Sequence, residues 1–145
     1  KTKLAEKIRA SKRKKKLTWA HIAKKIGMSP VWTTAALLGQ MSMDASQAKA
    51  AAKVLGLSAD DVETLMEIPY RGALPPGPPT DPTVYRFHEL VQVYGPTWKE
   101  LIHEEFGDGI MSAIDYEMAM QRLPDPKGDR VRIVMSGKFL QYKKY

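Results

Sequence analysis

Between Pro69 and Pro82 the chain carries six prolines and two glycines, Pro69, Pro75, Pro76, Pro78, Pro79 and Pro82 with Gly72 and Gly77. Proline lacks the amide proton that helices and sheet ladders need, and it drives the residue before it into extended conformations. Neither a helix nor a central strand can cross such a stretch, so an extended linker is expected over residues 71–82. The 145 residues then divide into residues 1–70 and 83–145, each close to the lower limit of what can bury a core unaided.

The two halves differ in hydrophobic period. From Lys3 to Ile68 the period is helical. Leu4, Ile8 and Leu17 begin an apolar stripe; Thr18 then caps a short helix carrying Ile22 and Ile26, which Gly27 closes. Ser29 before Pro30 sets an N-cap and first turn for a helix to about Gly39. Asp44 or Ser46 opens an alanine-rich helix through Leu55 that Gly56 stops, and Ser58 with Asp61 opens a last one through Met66 and Ile68. About five short helices are expected, the content of a small helical domain.

After the linker, Asp81 and Pro82 read as the N-cap and first turn of a helix carrying Tyr85, Leu90, Val93 and Tyr94. Gly95-Pro96 is expected to end it, and Thr97 to cap another helix carrying Leu101, Ile102 and Phe106, stopped by Gly107-Asp108-Gly109. The period then falls to two. Ile114, Tyr116, Met118 and Met120 alternate with Asp115, Glu117, Ala119 and Gln121, which predicts a strand with one buried face. A turn over residues 124–129 leads to a second strand with Val131, Ile133 and Met135. The expected class is α+β, mainly α: an N-terminal five-helix, helix-turn-helix (repressor-like) domain followed by a C-terminal domain of two helices and a β-hairpin. Such a C-terminal half cannot bury enough surface alone, so association is expected from the pattern itself.

The net charge of +7 is concentrated at the start, where residues 1–16 hold nine basic side chains against Glu6 alone, leaving the rest close to neutral. Leu17 to Leu38 has helix-turn-helix spacing, which makes a DNA-binding regulator one reading. Base readout, however, needs Arg, Lys, Asn or Gln near the start of the second helix, and Val31, Trp32, Thr33, Thr34, Ala35 and Ala36 stand there instead. Phosphate contacts from residues 12–16 would be salt-sensitive and blind to sequence. No nucleic-acid partner is expected.

Other chemistries are excluded more simply. Cysteine is absent, which removes disulfides, thiolate metal sites and a cysteine nucleophile, and fits a reducing, cytoplasmic setting. No apolar run approaches the roughly eighteen residues of a membrane span, so no membrane partner is expected. His21, His88 and His103 are expected in different helices, and His103-Glu104-Glu105-Phe106-Gly107 lacks the second histidine of a zinc helix, so no metal is expected. Gly107-Asp108-Gly109 precedes a strand rather than a helix and is no nucleotide cradle.

The dense region is Thr80 to Ile114, where Arg86 and Glu89 share a helix face with Tyr85 alongside. The wording here resembles the cyanase family, also called cyanate hydratase or cyanate lyase. The resemblance runs through Thr34-Ala35-Ala36-Leu37-Leu38-Gly39-Gln40, Ile68-Pro69-Tyr70-Arg71-Gly72, Pro79-Thr80-Asp81-Pro82-Thr83 with Tyr85-Arg86-Phe87, Gln92-Val93-Tyr94-Gly95, and Phe106-Gly107-Asp108-Gly109-Ile110-Met111-Ser112-Ala113-Ile114. It covers nearly the whole chain except the basic start, and His88, Pro96 and Trp98 depart from the better-known members.

The resemblance implies a C-terminal dimerisation domain interlocked between subunits, and a homodecamer of five dimers with active sites between subunits. It implies bicarbonate-dependent decomposition of cyanate to carbamate, then ammonia, and carbon dioxide, with bicarbonate as co-substrate and no cofactor. The family's catalytic arginine, glutamate and serine carry over onto Arg86, Glu89 and Ser112.

Overall fold

A computed structural model of the chain describes residues 2–72 and 74–145; Lys1 of the basic start and Ala73 of the expected linker lie outside the described residues. The elements are α1 (Thr2–Lys14), α2 (Trp19–Ile26), α3 (Pro30–Leu37), α4 (Ala45–Leu55), α5 (Ala59–Met66), α6 (Pro82–Phe106), β1 (Gly109–Leu123) and β2 (Arg130–Gln141). The fold is α+β and mainly helical, with β1 and β2 pairing as a single two-stranded sheet. Leu74 to Asp81 holds neither helix nor strand.

The helix starts are the ones their cap residues dictate. Thr18 accepts from the His21 amide at 3.1 Å and Ser29 from the Trp32 amide at 3.2 Å, with Pro30 at the first helical position. Asp44 with Gln47, and Ser58 with Asp61, form reciprocal capping boxes at α4 and α5. Gly27 and Gly56 close α2 and α4 at φ of 81° and 72°, the left-handed conformation that a side chain would resist.

The chain forms two compact units, residues 1–73 with 118–134 and residues 74–117 with 135–145. In the first, Ile8, Ile22, Leu37, Ala48, Ala51 and Leu55 are essentially inaccessible and form one core with Ala36, Met43 and Leu65. Ser11 donates to the Leu55 carbonyl and the Lys7 ammonium meets Asp61, so α1 is tied to α4 and α5 as well as packed on them.

The second unit is built differently. Among its described residues only Gly109 and Ser112 are buried. No residue of α6 is buried, although it carries Phe87, Leu90, Val93, Trp98 and Leu101. The face of β1 expected to be buried is not: Ile114 in this unit is 98% exposed, and Met120, on the part of β1 that belongs to the first unit, 65%.

A further correction concerns helix number. Two helices were expected between Asp81 and Gly107, broken at Gly95-Pro96, and one helix of 25 residues runs through with Pro96 inside it. Proline costs this helix one hydrogen bond and crowds the preceding turn. The clash that bars the residue before proline from helical φ and ψ acts partly on its Cβ, however, and Gly95 has none. His88 and His103, expected in different helices, therefore share α6.

Candidate functional site

The start of α6 is fixed by Asp81, whose Oδ1 accepts from the amides of Thr83 and Val84 at 2.9 Å each. One turn on, Arg86 Nη1 donates to Glu89 Oε2 at 2.8 Å. Both side chains are largely solvated, at 65% and 47% exposure, so this ion pair contributes a few tenths of a kcal/mol at most and does not hold the helix together. It does fix where the guanidinium points. The Arg86 guanidinium also lies over the Tyr85 ring, 5.6 Å from its centre. The His88 ring sits 5.8 Å from the same ring, tilted by 41°, and shares a 2.9 Å hydrogen bond with the Gln92 amide nitrogen.

Ser112 lies near the start of β1 and is only 3% exposed. Its Oγ accepts from the amides of Ile114 and Asp115, both at 3.0 Å. A hydroxyl has two acceptor sites and one proton. With both acceptor sites taken by its own strand, Ser112 retains only a donor's role toward anything else.

Two glycines hold this geometry, Gly137, which the sequence reading passed over, and Gly109, which it read only as part of a turn. A Cβ on Gly137 would overlap the Ser112 carbonyl oxygen and fall 2.7 Å from Met111 Cγ, so β2 can lie against Ser112 only because Gly137 has no side chain. Gly109 is under the same constraint from the Leu140 carbonyl and the Phe139 ring. The join between α6 and β1 is set by His103, whose Nε2 lies 3.3 Å from the Gly109 carbonyl while Lys99 Nζ reaches its Nδ1 at 3.1 Å. An ammonium only donates, so Nδ1 accepts and Nε2 carries the proton given to Gly109. Farther along β1, burial pushes the Tyr116 hydroxyl above its ordinary 10.0.

Arg86 and Glu89 are thus together, while the Ser112 hydroxyl bonds only within its own strand among the described residues. A cleft of about 410 Å³ between the second half of α6 and the strand ends is lined by Trp98, Ile102, His103, Ile110, Met111 and Tyr142, and by none of the three site residues. On the helix-turn-helix, Thr33 is fully buried and Thr34 Oγ1 donates to the Pro30 carbonyl at 2.7 Å. Thr33 is thus shut away from solvent and Thr34 is engaged by its own helix, so neither of the α3 side chains that could have addressed a base is free to do so.

Two family models match the chain, the N-terminal model of cyanate hydratase over residues 1–69 and the cyanate lyase C-terminal domain over residues 76–144. A cyanate hydratase of Variovorax paradoxus is 58% identical over 142 residues, covering 98% of this chain and 97% of that protein. One of Thiobacillus denitrificans is 60% identical over 135 residues, covering 93% and 92%. The crystal structure of a cyanase from T. urticae superposes with a TM-score of 0.82 at 38% identity, covering 95% of this chain and 96% of that one.

Proposed function

The chain belongs to the cyanate hydratase, or cyanate lyase, family, and from that premise we propose that it decomposes cyanate with bicarbonate as co-substrate, using Arg86, Glu89 and Ser112. The observation that carries this reading is the match of both family models, which between them span almost every residue. The DNA-binding alternative finds no support, since the named relatives are cyanate hydratases and the structural neighbour is a cyanase.

One bicarbonate, one cyanate and one proton give carbamate and carbon dioxide; carbamate with a further proton gives ammonia and a second carbon dioxide. The first obstacle is repulsion between two anions in one place. Arg86 is always protonated and its planar fork suits a carboxylate-like anion, so it holds bicarbonate and offsets the charge that builds as a bicarbonate oxygen attacks the cyanate carbon. Glu89 would repel either anion if it faced them alone. Its role is to orient the guanidinium through the 2.8 Å bond, and to manage a proton. Ser112 donates its hydroxyl proton to the developing anion and is not a nucleophile, since no base accepts that proton. Holding two reactants in attack geometry supplies most of the acceleration, and the reaction calls for no cofactor.

On this reading residues 83–145 form the catalytic and dimerisation half, residues 1–70 the repressor-like half and residues 71–82 the linker, in a cytoplasmic homodecamer. The site is completed between subunits, which accounts for a Ser112 that meets neither Arg86 nor Glu89 within one chain. Ammonia release from cyanate, measured with and without bicarbonate, is the test. Release that requires bicarbonate, and that vanishes in Arg86→Leu while the oligomer keeps its mass, is expected. Wild-type turnover in that variant would remove Arg86 from the mechanism.

A further inference from the structure

The ion pair fixes only one edge of the Arg86 guanidinium. Glu89 accepts from Nη1, and a single hydrogen bond between two largely solvated side chains leaves the planar group free to swing about that bond. A second restraint comes from the residue before it. The guanidinium carbon lies over the Tyr85 ring, 5.6 Å from its centre, within the reach at which the electron-rich face of an aromatic ring attracts a cation. Held at one edge and at its centre, the fork is kept in one orientation. Its Nε and Nη2 donors carry no hydrogen bond among the described residues, and they remain for a carboxylate-like anion.

The ring is itself held. His88 meets Tyr85 at 5.8 Å with the planes tilted by 41°, and one turn farther on the Gln92 side chain bonds His88 Nε2 at 2.9 Å. Whichever of those two donates, the imidazole is kept beside Tyr85. Tyr85, Arg86, His88, Glu89 and Gln92 all belong to about two turns of α6, so this arrangement needs no other element to form. The Tyr85 hydroxyl has no hydrogen bond among the described residues, and the contacts made at this position are those of the ring.

We propose that Tyr85 is a positioning residue for the reaction, its ring holding the Arg86 guanidinium by cation–π attraction in the orientation that binds bicarbonate. The proposal rests on the cyanate-decomposing reading given above. Tyr85 touches neither reactant on this account. It acts through Arg86, by removing orientations that the guanidinium would otherwise give up only when the anion binds.

The test uses two substitutions in the full-length protein. Tyr85→Leu removes the ring; Tyr85→Phe removes only the hydroxyl. Initial rates of ammonia release are measured against bicarbonate at saturating cyanate and against cyanate at saturating bicarbonate, with particle mass checked by light scattering. Loss of one exposed cation–π contact predicts a bicarbonate KM about two- to fivefold higher in Tyr85→Leu, with the cyanate KM and the particle mass unchanged. Tyr85→Phe, which restores the ring, should return the bicarbonate KM to the wild-type value. An unchanged bicarbonate KM in Tyr85→Leu overturns the proposal, and so does a fall in kcat alone, which is what fewer well-assembled sites would give. An equal rise in Tyr85→Phe overturns it as well, because the ring would then not be the part that acts. If Tyr85→Leu does not assemble, Tyr85→Phe is compared with the same phenylalanine carrying ring fluorines, which nearly keep its shape and drain its face of electron density. A higher bicarbonate KM in the fluorinated protein supports the proposal and an equal one overturns it. A wild-type protein without bicarbonate-dependent release would instead remove the reading of the site beneath the proposal, and the proposal with it.

Discussion

Ser112 shows how a short side chain is given a single role. Its two acceptor sites are spent on Ile114 and Asp115, and its neighbour across the hairpin is a glycine that leaves room for it. Ser112→Ala is expected to lower kcat by about two to three orders of magnitude, the usual effect of deleting one fixed donor to a developing anion, with little change in KM. Steady-state ammonia kinetics check it; a kcat within a few-fold of wild type would take the hydroxyl out of the transition state. Gly137→Ala probes the same feature from outside. The added methyl has nowhere to go but into Ser112 or Met111, so it should cost about 1–3 kcal/mol in urea denaturation and lower kcat as well. Ser112 could be singled out as a candidate from the block around it, but its structural support could not be read there. A glycine amid the alternating Val131, Ile133 and Met135 pattern hints at close backbone approach, yet what approaches it lies across the hairpin.

At the scale of elements, the local signals divide cleanly into those that decide structure alone and those that compete. Caps decide alone. Ser58 satisfies the Asp61 amide at the start of α5 and Asp61 reciprocates to Ser58, so Ser58→Ala should cost about 1 kcal/mol, read as a lower urea midpoint. The same helix start gives a pH dependence. The Lys7 ammonium that bonds Asp61 holds its carboxyl below the ordinary 3.8, and the Gln47 amide does the same for Asp44. A carboxyl that is more acidic folded than unfolded adds stability that is complete above the unfolded value and is lost as pH falls through the folded one. The urea midpoint should therefore drop on acidification below the ordinary 3.8, and drop less in Asp61→Asn; identical acid profiles would contradict the pairing. Thr18, Ser29, Asp44 and Ser58 could be read as caps because each acts within three residues of itself. Gly95-Pro96 misled because it holds two opposed tendencies. The proline argues for a break, the missing Cβ before it relieves the clash, and two long helical flanks settle the contest in favour of α6.

For the molecule as a whole, the contrast between the two units has one physical resolution. Among the described residues the first buries eleven apolar ones, whereas the second leaves every residue of a 25-residue helix at least partly exposed, with Ile110, Ile114 and Met135 of its strands. Apolar side chains exposed along one helix in this way mark a surface suited to association. The residues that remain bare in one chain include Phe87, between Arg86 and Glu89 in sequence, and Leu90, next to Glu89, so a partner that covers them comes close to the ion pair. On the proposed reading, assembly and catalysis should fail together. Leu101 is 59% exposed on α6 and lies more than four turns from Arg86, too far to touch its chemistry. A carboxylate there, in Leu101→Glu, would have to be buried unpaired against the neighbouring copy. The expected outcome is a smaller particle by light scattering, preserved helical circular dichroism from the self-sufficient first unit, and loss of ammonia release in proportion to the lost mass. A dissociated variant that still consumed cyanate at the wild-type rate would show that one chain holds a complete site, and Ser112 would then have to reach Arg86 by a movement within the chain rather than across a subunit boundary.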